Sequence, residues 1–91
     1  MLDLKSIYNL LNGKYELTLT TGLTLDAGFG WDLEVLTGKC KAGQFFLYDE
    51  GFGAIFDYND PNGTISNKHW HPADNQEAIQ YVIDFMEDKL L

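Results

Sequence analysis

Ninety-one residues suffice for one small domain, spanning 1–91, with a single modest core. An apolar content of 45% and an aromatic content of 14% exclude a disordered chain. Fourteen acidic residues against six lysines, with no arginine, leave a net charge of −8. Such a surface repels nucleic acids and anionic membranes, and it lacks the side chain best suited to gripping phosphate.

The first element is a helix over about residues 3–12, where Leu4, Ile7, Tyr8 and Leu11 fall on one face. Asn12-Gly13 supplies its stop. From Lys14 the period changes to two. Tyr15, Leu17 and Leu19 alternate with Glu16, Thr18 and Thr20, as in a half-buried strand. Leu23–Leu25 reads as a short strand or a continuation, and residues 26–30 as a loop. Trp31, Leu33 and Val35 alternate with Asp32, Glu34 and Leu36, which predicts a strand whose polar side carries Leu36. Residues 38–43, GKCKAG, read as a turn, Gln44–Asp49 as a third strand and Glu50-Gly51 as a hairpin turn. A fourth strand over Phe52–Tyr58 and a fifth over Thr64–Trp70 flank the turn Asn59–Gly63, NDPNG. The last helix covers about 75–90. Asp74 and Glu77 form its capping box, and Ala78, Ile79, Val82, Ile83, Met86 and Leu90 form its apolar stripe. Short links between successive strands predict a meander. The fold class is therefore α+β: an N-terminal helix, an antiparallel sheet of four to five strands and a C-terminal helix on one sheet face, a two-layer sandwich.

Four groups of residues are weighed for chemistry. His69 and His71, two apart in a strand, point the same way and can approach one ion, with Asp57 or Asp60 as further ligands. The alternative is a pair of strand-end imidazoles beside a Trp70 that covers the core, sensitive to pH but holding nothing. The glycine-rich GFGW and GFGA stretches lack the lysine and following helix of a phosphate loop and suit hairpin turns. Cys40, the one cysteine, forms no internal disulfide and lies between two lysines without an orienting partner, so no catalysis and no cofactor are expected. The acids and tyrosines form the fourth group. Asp32, Glu34, Tyr48, Asp49, Glu50, Asp57, Tyr58 and Asp60 are expected as contacts for a basic protein, because tyrosine anchors interfaces and acids steer cations. No segment reads as a secretion signal or a membrane span, so a reducing cytoplasm is expected.

The size, acidity and helix–meander–helix order resemble the small acidic immunity proteins of bacterial toxin systems and, in kind, small acidic inhibitors carried by phages. The most particular local piece is HWHPADNQEAIQYVIDFM, a strand end running through a turn into an amphipathic helix. The resemblance implies tight, non-catalytic binding that occludes a toxin, often a basic nuclease; a monomer or weak dimer is expected. Two other readings stand beside it: a small metal- or ligand-binding protein using His69 and His71, and an accessory protein of phage or bacterial origin that self-associates through a sheet edge.

Overall fold

The computed structural model describes residues 2–20, 34–49 and 53–90. Helix α1, Leu4–Leu11, buries Leu4, Ile7 and Leu11, the spacing read from the sequence. Its cap is Asp3. The Ser6 N–H donates to one carboxylate oxygen at 3.2 Å and the Ser6 hydroxyl to the other at 2.7 Å. Five strands follow: β1, Glu16–Thr20; β2, Val35–Cys40; β3, Gly43–Asp49; β4, Ala54–Asn59; and β5, Ile65–Trp70. Helix α2, Asn75–Leu90, ends the chain's described part. The strands pair antiparallel in the order β1-β2-β3-β4-β5, the meander predicted. This is an α+β fold.

Strand β2 departs from expectation. Residues 38–40 continue the strand, so the predicted turn over 38–43 shrinks to Lys41-Ala42. The reason is packing across the sheet. Gly38 pairs with Phe45, and a Cβ at Gly38 would overlap the Phe45 ring. The glycine is thus a seat for an aromatic side chain rather than a turn former. Leu36 is also reassigned: it is fully buried in the main core beside Leu47, not on a polar face. The predicted strand residues 31–33, the segment 23–30 and the turn at Glu50-Gly51 lie outside the described residues, as does Phe52.

Alternation then sorts the sheet into two faces. Leu36, Phe45, Leu47, Phe56 and Tyr58 belong to one core cluster with Leu4, Ile7 and Leu11 of α1 and Ala78, Ile79, Val82 and Met86 of α2. Phe45 stacks on Phe56 at 5.6 Å between centroids and meets Tyr15 edge-on at 5.5 Å. Phe56 in turn receives the edges of Tyr81 at 5.4 Å and Phe85 at 5.0 Å from α2. Tyr81 and Phe85 widen the helix's apolar stripe beyond the residues predicted, whereas Leu90 is exposed. The opposite face carries Thr18, Thr37, Phe46, Tyr48, Ile55, Asp57, Ile65, Asn67 and His69 by the same register.

Two outcomes test this packing. Gly38→Ala is expected to lower the unfolding free energy by about 1–3 kcal/mol through overpacking against Phe45, read by urea denaturation. The hydrogen bonds from the Ser6 hydroxyl and then the Ser6 N–H hold the Asp3 carboxyl below its ordinary value of 3.8. A lowered folded-state pKa stabilises above the unfolded value and is lost as pH falls through the folded one. Asp3→Asn keeps a capping side chain without the charge, so the loss of stability on acidifying below that value is expected to be shallower in the variant.

Candidate functional site

The histidine pair lies at one end of the sheet, and Tyr48 and Asp57 of the acid–tyrosine group lie on one face. At the end, the N-terminal residues meet the close of β3 and the β5–α2 junction. Leu2 donates its backbone N–H to Asp49 Oδ2 at 3.1 Å, and Asp3 donates to Asn75 Oδ1 at 3.0 Å. Both helices therefore begin side by side. A cleft of about 200 Å³ opens here, lined by Leu2, Asp49, Gly53, His71, Pro72, Ala73 and Asp74.

The junction HWHPADNQEA builds one wall of that cleft. Trp70 turns to the core side, 4.8 Å from Tyr81. Alternation sends His69 and His71 the other way, with ring centroids 5.9 Å apart and both rings exposed. The bare backbone of Gly53, at φ +125°, lies against them. A Cβ there would come within 2.9 Å of His71 Cε1 and 3.0 Å of His69 Nε2. Asp74 then caps α2: Glu77 N–H donates to Asp74 Oδ1 at 2.9 Å. Glu77 returns the bond to Ala73 N–H at 2.6 Å, one residue earlier than a standard capping box. Among the described residues, no three His, Cys, Asp or Glu side chains converge as a metal site.

On the face turned away from the helix-packed core, Asp57 is the centre of a polar cluster. It sits in mid-β4 rather than at a hairpin end. The Tyr48 hydroxyl donates to its Oδ2 at 3.2 Å, and Asn67, directly opposite on β5, donates to Oδ1. Phe46 pairs with Asp57 from the other side, and Ile55 pairs with Tyr48. Tyr48 is only 6% exposed, so a buried side chain holds one oxygen of Asp57.

Tyr58 requires a correction. One position beyond Asp57, it points to the opposite face and is 2% exposed. Its hydroxyl donates to the Ala42 carbonyl inside the core. Burial first, then the nearby Asp60 and Cys40, pushes its phenol above the ordinary tyrosine range. It offers no contact surface, because the strand pleat separates it from the acid beside it in sequence. Asp60 shapes the β4–β5 turn, accepting the Asn62 N–H at 2.7 Å. Glu34 is exposed just before β2, at the same end of the sheet as Asp49. Asp32 and Glu50 lie outside the described residues.

Sequence reasoning missed Phe46, Ile55 and Asn67 as neighbours of Asp57. Their shared face follows from the strand register, which links Asp57 to Phe46 and Asn67 across the sheet. Compared with protein-family models, with curated proteins and with solved structures, the chain matches none of them.

The Gly53 contact is open to a direct test. Gly53→Ala is expected to strain the backbone and displace the imidazoles, shifting the His69 and His71 ring proton resonances and lowering the thermal midpoint. Unchanged histidine spectra would show that the rings do not rest on this backbone.

Proposed function

We propose that the chain is a non-enzymatic acidic protein-binding module of the cytoplasm, an immunity protein or inhibitor that occludes a basic partner such as a toxin. The observation that carries this reading is the sheet face opposite the helix-packed core. Phe46 and Ile55 are half-buried there, and Ile65 is 70% exposed. They surround the Asp57 carboxylate, which Tyr48 and Asn67 hold in place. Apolar area and an oriented charge on one surface are what a specific interface uses: the first supplies affinity, the second fixes register and partner sign.

Electrostatics point to the same kind of partner. Asp3, Glu34, Asp49, Asp74 and Glu77 occupy the end of the fold where both helices begin. Lys39 and Lys41 lie by the β2–β3 turn at the other end. A cationic surface approaching the chain is therefore steered by a field as well as held by contacts. Blocking is steric: a basic protein seated on this face loses access to its own substrate. The resemblance in size, acidity and element order to small immunity proteins supports the same reading.

The test is titration of the partner recovered from the native host against wild type, Phe46→Asp and Asp57→Lys, with folding checked by circular dichroism. Each substitution is expected to weaken binding by about tenfold or more, and the wild-type association rate is expected to fall as salt rises. Equal affinity for all three proteins would overturn the assignment of this face.

A further inference from the structure

The strand registers set one row across the face turned away from the helices. Thr18, Thr37, Phe46, Asp57 and Asn67 stand opposite one another on β1 to β5. Directly opposed residues have Cβ atoms about 5 Å apart, so Phe46 and Asp57 project side by side. Two side chains fix the carboxylate. The Tyr48 hydroxyl donates to Oδ2 at 3.2 Å, and the Asn67 side-chain amide donates to Oδ1. An ionised carboxylate offers about four acceptor sites, so each oxygen keeps room for a further donor. The amide oxygen of Asn67 is one more acceptor beside the same group. Phe46 and Asp57 are half-buried and Asn67 is exposed, so the row can be reached from solvent.

Two of the chain's own cations are held away from this row. Lys68 follows Asn67 in sequence but is turned to the other side of the sheet, 5.0 Å from the Tyr81 ring centroid and 5.9 Å from that of Trp70. Lys89 lies over Phe85 and Tyr58 on that same side. The 91 residues contain no arginine, so a second copy of them brings no guanidinium to the row.

We propose that this row is a seat for an arginine side chain of the basic partner, its guanidinium bonded to Asp57 and to the Asn67 amide oxygen and stacked on the Phe46 ring. The seat presupposes the protein-binding reading and names the group that the face recognises. Three properties choose arginine over lysine. The guanidinium is a planar fork of N–H donors that can meet two carboxylate oxygens and a neighbouring amide oxygen at once, whereas an ammonium is a compact point charge. Its plane stacks on aromatic rings, and Phe46 is the residue directly opposite Asp57. Its weaker hydration lowers the cost of entering a half-buried position. The carboxylate is also oriented before any partner arrives, so less freedom is lost when the fork engages it.

The experiment uses the nitrogen-15-labelled full chain and two capped, glycine-spaced peptides of equal length and charge. One carries arginine and the other lysine at every basic position. Titrations are followed by NMR at low salt, where attraction is least screened. The arginine peptide is expected to bind about three- to tenfold more tightly and to shift the Asn67 side-chain amide resonances. Asp57→Asn, which keeps the shape without the charge, is expected to weaken both peptides. Phe46→Leu, which keeps an apolar residue in β3, is expected to bring the arginine peptide down to the affinity of the lysine peptide. The amide spectra of both variants report their folding. Equal affinity of the wild-type chain for the two peptides, with both weakened by Asp57→Asn, overturns the arginine seat and leaves the acidic face standing. An arginine preference that persists in Phe46→Leu overturns the seat as well. Arginine-peptide binding untouched by either substitution, with shifts confined to the end that carries Asp3, Asp49 and Asp74, overturns both the seat and the assignment of this face.

Discussion

The stack of Phe45 on Phe56 at the centre of the sheet governs the rest of the structure. It requires Gly38 on the neighbouring strand, because the Phe45 ring lies where a Cβ would project. It sets the breadth of α2's buried face, because Phe56 is met by both Tyr81 and Phe85. It reaches α1 through the same core cluster, with Tyr15 closing the Phe45 side. A core of this size gains most from a few large rings in edge and stacked contact, each burying far more area than an aliphatic side chain. Two of the six lysines extend the arrangement outward, Lys68 over Trp70 and Tyr81, Lys89 over Tyr58 and Phe85. They cover aromatic surface while keeping their charges in water.

The acidic residues divide by the work they do for the chain. Asp3 and Asp74 cap the two helices, and both helices start at one end of the fold. Helix N-termini concentrate unpaired N–H groups and partial positive charge, so carboxylates settle there with a local stabilising reason. Asp49 receives the Leu2 N–H, and Asp60 shapes a turn. The acidity of this end is thus partly a by-product of capping, and it becomes a feature of the surface potential regardless of its origin. Asp57 differs. No helix end or turn needs it, yet two side chains from flanking strands orient it. That distinction is the reason Asp57, rather than the more numerous capping acids, stands at the centre of the functional reading.

The face and the edge are adjacent but physically different surfaces. The face offers Phe46, Ile55 and an oriented carboxylate. Strand β5 is terminal in the order of the described strands and carries no carboxylate. Asn67 belongs to both, because its side chain holds Asp57 and its backbone is part of β5.

Local chemistry was enough to read much of this fold. The three- and four-residue spacings of Leu4, Ile7 and Leu11 and of Ala78, Val82 and Met86 specify helices wherever they occur, and Asp74 with Glu77 marks where α2 begins. Short links between strands leave a meander as the simplest order. What the tertiary structure alone decided was which residues share a surface. Gly38 looks like a turn former until Phe45 lies across it, and Leu36 looks like part of a polar face until β2 is set in register against Leu47. Tyr58 stands next to an acid in sequence and on the far side of the sheet from it in space. Asp57 has its working neighbours, Tyr48 and Asn67, nine and ten positions away. A period of two says that faces alternate. Which face meets the helices, and which residue stands opposite which, depends on pairing between distant strands, and that is a property of the assembled sheet.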